Sequence, residues 1–474
     1  MLQTLKNAWR TKEIRNKIIF TLFILLLYRI GTVVPVPFVD ANNFASSFQG
    51  TILDQLNILS GGSLGTATLF ALGVSPYINS SIIIQLLAVV FPKLGELAKN
   101  DKKKMNFITR IVTVVLALVT AIGYYFLLSN SGMLTNAATK GQNGAYWFYA
   151  IVIIMCYCAG ASLIMWLAER INERGIGNGI SIILFANIVS ALPSQVYQML
   201  ALVVDTFSYS KPVLYIILSI VFALLLLAII IAATVFVIWV TGSERRIPVQ
   251  YAKRVVGRKM YGGQNSNLPI KLNMTGVMPV IFASSIVSLV PTILALCGVD
   301  GTGNTGWDTF ANIMGSSGVI YPLMLFVLII AFAYFYTQIT FDPVDVANNL
   351  KKQGGAIPGI RQGRPTSDYI RKILNKITLA GALFLSIIAV VPVIAGPHVI
   401  QHFIEWILSG QILDTWSASE IATAKTNIES IAQSLTGVFT FGGTSLIIVV
   451  GVALETFREL EAQLTMRNYK GFLD

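Results

Sequence analysis

An all-α integral membrane protein of ten transmembrane helices is the fold class this sequence predicts, and three observations predict it. Only 12% of the 474 residues are charged and the mean hydropathy is +0.70, against roughly 25% charged residues in soluble domains. Apolar runs long enough to cross a bilayer, which takes about 17–25 residues each, recur along nearly the whole chain. Between them Lys and Arg crowd into alternate connections, the bias that sets membrane orientation. These features exclude a soluble globular domain.

The first span is expected near 18–34. Lys6 to Lys17 ahead of Ile18–Leu27 imitate a signal peptide, but Arg29 interrupts the run and no Ala-x-Ala site follows, so an uncleaved helix is expected. Residues 50–73, GTILDQLNILSGGSLGTATLFALG, are moderately apolar, too short to cross and broken by Gly61, Gly62 and Gly65. They form either an external surface loop or a re-entrant segment, which at membrane depth must be buried in protein or line a cavity. Further spans are expected near 75–91, 107–128, 147–168, 180–203, 212–240, 275–297, 320–340, 377–395 and 436–457. An external insertion occupies 397–435, with an amphipathic helix expected near 418–434. Five spans on each side of the centre suit an internal duplication, dividing the chain into units 1–209 and 210–474.

Of the 34 basic residues, 30 fall on one side of the predicted spans, Lys140, Lys211 and Lys425 fall on the other, and Arg29 lies inside a span. Both termini are then cytoplasmic. Arg29 sits toward the outer half of its helix, where it snorkels or bonds backbone carbonyls. No Asp or Glu stands mid-span. Intramembrane acids usually mark ion and proton pathways, so an ion-coupled transporter of small solutes, which shares ten spans and broken segments, fits poorly. In the 241–273 connection Arg245, Arg246, Lys253, Arg254, Arg258, Lys259 and Lys271 face a single acid, Glu244. Such a loop attracts polyanions such as ribosomal RNA or an acidic protein surface. It equally satisfies the positive-inside rule by meeting anionic lipid.

Enzymatic signatures are absent: there is no HExxH, GxSxG or P-loop. His398 and His402, at i and i+4 with Glu405 beyond, lack a clear third ligand and read as an interfacial helix, so no metal or cofactor is expected. Gly175-Ile-Gly177-Asn-Gly179 follows a membrane helix instead of a strand, which argues against nucleotide binding. Cys156, Cys158 and Cys297 lie in or beside apolar segments and read as packing residues.

Eight stretches in order resemble the SecY family, the pore subunits of the bacterial Sec protein translocase. They are 4–18 (TLKNAWRTKEIRNKI), 28–37 (YRIGTVVPVP), 60–87 (SGGSLGTATLFALGVSPYINSSIIIQLL), 173–183 (ERGIGNGISII), 245–254 (RRIPVQYAKR), 268–286 (LPIKLNMTGVMPVIFASSI), 348–363 (NNLKKQGGAIPGIRQG) and 441–456 (FGGTSLIIVVGVALET). The resemblance implies two five-helix halves around a central pore in the plasma membrane. It places a pore ring on Val74, Ile78, Leu184, Ile281 and Ile448, all branched aliphatics, and a plug on 60–73, including Gly61, Gly62, Leu64, Gly65 and Leu69. A ring of this kind offers ions no favourable site and dewets when closed. A lateral gate is implied between the second and third spans and the seventh and eighth, with Gln85, Ser284 and Ser285 on the helices concerned. Docking loops are implied at 241–273 and 341–376, with Arg361 at the family's functional loop arginine; Arg makes bidentate pairs that Lys cannot. The implied partners are SecE and SecG, the SecA motor, the ribosome, preprotein substrates and membrane lipid. Hydrolysis must then come from a partner. The family often carries Gly after its Pro-x-Pro, where Phe38 stands here.

Overall fold

The computed structural model describes residues 2–40, 57, 60–135, 146–209, 213–251, 254–256, 259–261, 265–296, 307, 310, 320–409 and 443–466. Every one of the ten expected spans falls on a helix. In chain order these are α2 (Lys12–Gly31), after a short amphipathic α1 (Leu2–Arg10), α3 (Ser75–Val90), α5 (Lys102–Asn130), α6 (Tyr146–Arg174), α7 (Gly179–Tyr209) and α8 (Val213–Gly242). The second half contributes α9 (Met278–Leu296), α10 (Ile320–Thr340), α12 (Arg364–Ser409) and α13 (443–466). The architecture is an all-α membrane bundle.

Local chemistry sets the helix ends. Pro76 lies in the first turn of α3, where a missing N–H costs nothing. Phe91 precedes Pro92 and takes an extended conformation, as pre-proline residues do, so the chain bends by 117° into α4 (Pro92–Asn100). Asp101 caps α5 by accepting from the Lys104 N–H at 3.2 Å, and that bond holds its carboxyl below the ordinary value. The Gly175–Gly179 run is a helix-to-helix turn. Gly177 is left-handed at φ +78°, and a side chain on Gly179 would overlap the Ala168 carbonyl. Close packing of α6 on α7 therefore accounts for these glycines.

Two expectations change. The 241–273 connection is a β-structure. β1 (Glu244–Tyr251) pairs antiparallel with β4 (Asn265–Lys271), Arg246 opposite Pro269, and with β5 (Gly355–Ala356) on its other edge. β2 (Arg254–Val256) and β3 (Lys259–Tyr261) form a small ladder between them. Ile247, Val249 and Ile270 point inward against Leu350 of α11 (Pro343–Lys352) and Ile370 and Leu374 of α12. The 341–376 segment is likewise largely ordered as α11, β5 and the start of α12, because the hairpin's apolar face needs that cover. The single continuous α12 also runs through the start of the expected 397–435 insertion, whose 418–434 helix lies outside the described residues, as does Cys297.

One large apolar cluster joins α2, α3, α6, α7, α9, α10, α12 and α13. A second lies beneath the 60–73 segment among α5 and α6. Arg110 of α5 pairs with Glu169 of α6 at 2.8 Å. Large aliphatic side chains such as Leu224, Ile231 and Val235 of α8 stay exposed, as expected of a lipid-facing helix.

Candidate functional site

The five branched aliphatics singled out in the sequence meet. Val74 is the N-cap of α3 and Ile78 a buried residue of its first turn, while Leu184 comes from α7, Ile281 from α9 and Ile448 from α13. Each retains only 2–4% of its accessible surface, all belong to the largest apolar cluster, and all line one cavity of about 230 Å³. Four helices distant in sequence thus converge on a single apolar site. Ser284, Ser285, Ser288 and Thr292 of α9 extend the same wall. The Ser284, Ser288 and Thr292 hydroxyls donate to carbonyls of their own helix, leaving oxygen lone pairs for the cavity. Among the described residues, no Asp, Glu, Lys, Arg or His lines it.

The glycine-rich 60–73 segment contributes Leu64, Ala71 and Leu72 to the wall of this cavity. It is buried, which decides against a surface loop. Tyr124 of α5 and Tyr157 of α6 donate their hydroxyls to the carbonyls of Leu64 (2.5 Å) and Ala67 (3.2 Å). The Leu69 N–H donates to Val34 at 2.9 Å, and Phe70 stacks on Tyr28 at 5.4 Å. Gly61 and Gly62 are left-handed at φ +71° and +88°, and Gly65 is buried. A side chain on Gly61 would stand 2.9 Å from Arg29. Arg29 reaches under the segment and donates to the Ala186 carbonyl at 2.5 Å, one of the two fates the sequence allowed. A short α3 completes the geometry. At 16 residues it spans only about 24 Å, less than the roughly 30 Å of a bilayer's hydrocarbon core.

The three polar candidates for a gate do not assemble. Ser284 and Ser285 face the cavity, whereas Gln85 of α3 accepts a hydrogen bond from the Tyr336 hydroxyl of α10 and donates to Ser81 at 2.9 Å. Phe282 of α9 packs edge-on against Tyr336 at 5.1 Å. Tyr336 and Phe282 were missed in the sequence; a tyrosine within the apolar Ala-Phe-Ala-Tyr-Phe-Tyr run was the available signal.

At the basic end, Arg245 and Arg246 are exposed on β1, and Arg246 pairs with Glu244 at 2.8 Å. Arg254 and Lys259 lie on β2 and β3, while Lys253 and Arg258 lie outside the described residues. Arg361 is exposed in the turn before α12, where its carbonyl accepts from the Thr366 hydroxyl at 2.8 Å. Burial, then the nearby Arg458, push the Lys271 ammonium below its usual value. Among the described residues no three His, Cys, Asp or Glu side chains come together. His398, His402 and Glu405 are on α12, where nothing is described of their side chains.

Comparison with known proteins gives concordant results. The family model described as SecY matches residues 68–457. The protein translocase subunit SecY of Mycobacterium bovis is 39% identical over 487 residues, and that of Streptomyces galbus 38% identical over 489, each covering the whole of both chains. Among solved structures, a SecY in which the plug domain stabilises the closed state of the translocation channel superposes with a TM-score of 0.57 at 16% identity, covering 94% of this chain and 92% of that one. Sec61 in the canine ribosome-channel complex gives a TM-score of 0.53 at 16% identity with the same coverage. On the full-length identity and the family match together, this chain belongs to the SecY family.

Proposed function

We propose that the chain is the central channel subunit of a Sec protein-conducting translocon, a passive gated pore that exports unfolded preproteins and releases apolar segments sideways into lipid. One observation carries this reading: Val74, Ile78, Leu184, Ile281 and Ile448, from four helices and a helix cap, share a single apolar cavity walled in part by a buried glycine-rich segment. Such a collar has no ion-coordinating group, yet its aliphatic side chains flex around any threaded chain. Among the described residues the cavity lining carries hydroxyls and the Asn79 amide but no charged side chain. The 60–73 segment acts as the plug, as the plug domain does in the related SecY. Apolar segments leave between α3 and α5 on one side and α9 and α10 on the other, favoured by their transfer free energy. The halves are 1–209 and 210–474, in a bacterial plasma membrane with both termini cytoplasmic.

The chain is no enzyme in this reading, and energy comes from a SecA motor or the translating ribosome. Arg361, Arg245, Arg246, Lys253, Arg254, Arg258 and Lys259 form the docking surface, which long-range attraction brings to acidic or phosphate-bearing partners; SecE and SecG complete the membrane complex. Relatives solved as ribosome-channel complexes support the ribosome as a partner. The test places Cys at Ile281 and stalls a precursor in the active complex. A crosslink to the precursor is expected; no adduct in a complex that still transports overturns the pore assignment.

A further inference from the structure

Among the described residues, two side chains of the spanning helices hold the backbone of 60–73: Tyr124 of α5 through the Leu64 carbonyl and Tyr157 of α6 through the Ala67 carbonyl. Both rings are almost fully buried, and they meet edge-on with their centres 5.0 Å apart. A carbonyl released in such surroundings finds no water to replace its donor, so the bonds favour the seated segment strongly. Because the rings touch, moving one disturbs the other.

The bonds also hold a conformation that the chain resists. Ala67 stands at φ +46°, a left-handed backbone that strains a residue with a Cβ and persists only where the surroundings over-determine it. Tyr157 supplies one restraint, on the Ala67 carbonyl itself. The bridge between Pro35 and Thr68 and the bond from the Leu69 N–H to Val34 supply the others. Losing one restraint therefore favours relaxation of the whole turn.

Tyr124 occupies a second position of consequence. With Leu116 and Thr120, one and two turns back along α5, it lines the channel cavity opposite Ser284, Ser288 and Thr292 of α9. Of the described lining side chains it is the one that hydrogen-bonds 60–73. At about 230 Å³ the cavity is narrower than a helix, which measures about 10 Å across with its side chains. A helical segment can enter only by pushing the walls apart, and Tyr124 is part of a wall.

We propose that Tyr124 and Tyr157 form the latch of the 60–73 segment, and that Tyr124 relays occupancy of the cavity to it. An apolar helix wedged between α5 and α9 displaces the Tyr124 ring and breaks its bond to Leu64. The edge-on contact then loosens Tyr157, Ala67 leaves its left-handed conformation, and the segment unseats. This rests on the channel reading and adds to it two positioning residues.

Hydrogen exchange of the full chain in nanodiscs tests the latch, with and without a helical peptide of Leu and Ala of about 20 residues, long enough to span. Without peptide, Tyr124→Phe and Tyr157→Phe each keep the ring and are expected to lower protection of the 64–71 amides about fivefold, the effect of one net hydrogen bond, relative to amides of α6. Peptide is expected to lower that protection at least about fivefold in the parent chain and again in Tyr157→Phe, but to add nothing in Tyr124→Phe, where the bond it breaks is already gone. A full peptide response in Tyr124→Phe overturns the relay, and so does a parent chain that does not respond. Undiminished protection in both variants, or a loss spread equally over α6 as a packing defect produces, overturns the latch. The precursor crosslink at Ile281 reads the pore separately. A chain that crosslinks without a Tyr124-dependent response keeps the pore and loses the relay, whereas a Tyr124-dependent response without the crosslink keeps the latch and loses the pore.

Discussion

At the scale of single residues, Phe38 shows how a backbone demand hides behind a side chain. Its φ of 66° is left-handed, a region that costs a residue with a Cβ roughly 1–2 kcal/mol. Glycine, which the resembling family often carries at this place, fits without that cost. Phe38 is held there because Thr135 donates both its N–H (3.1 Å) and its hydroxyl (3.2 Å) to the Phe38 carbonyl, and because its ring packs on Tyr149 at 4.6 Å. Substituting Phe38 by Gly and by Ala removes the same ring, but only Ala keeps the strained backbone. Thermal unfolding should therefore rank Phe38→Gly above Phe38→Ala by about 1 kcal/mol. Equal stability of the two would show that the left-handed conformation carries no strain.

Elements meet through groups too small or too polar to announce themselves. Gly160 of α6 lies so close to the 60–73 segment that a Cβ would overlap the Leu69 carbonyl oxygen, and a backbone atom cannot rotate away as a side chain can. Gly160→Ala is expected to push the segment off its seat while α6 itself remains helical. Hydrogen exchange should then show amides of 60–73 losing protection, together with raised ion leak in proteoliposomes; unchanged protection would mean that the helix moves instead. A second joint is the hydrogen bond from Tyr336 to Gln85, which ties α10 to α3. Losing a net hydrogen bond of about 1 kcal/mol shifts an equilibrium roughly fivefold. Spin labels on α3 and α10 should therefore report about that increase in a separated population for Tyr336→Phe; an unaltered distance distribution would show that this bond does not hold the two helices together. Neither joint was legible beforehand. Gln85 was identified without its partner, and the period-two alternation of Ile247 and Val249 that makes β1 was passed over because the loop was read for charge alone.

For the molecule as a whole, the apolar helices and their number were legible because membrane insertion is decided segment by segment, on transfer energies that a sequence states directly. The cavity was not, since Val74, Leu184, Ile281 and Ile448 differ in no local way from the aliphatic residues around them, and only resemblance picked them out. Their convergence is a product of how α3, α7, α9 and α13 pack, and its consequence is testable apart from the plug. If an apolar collar excludes water by itself, then replacing Ile281 and Ile448 together by Asn should wet it even with 60–73 seated. Planar-bilayer conductance of the pair should rise clearly above that of the parent chain, as a hydrated constriction requires, while Ile281→Leu with Ile448→Leu stays tight. Unfolding curves for both pairs separate a wetted pore from a collapsed one. Should the folded Asn pair remain sealed, the barrier to ions would reside in the buried glycine segment alone, and the collar would serve only to grip a passing chain.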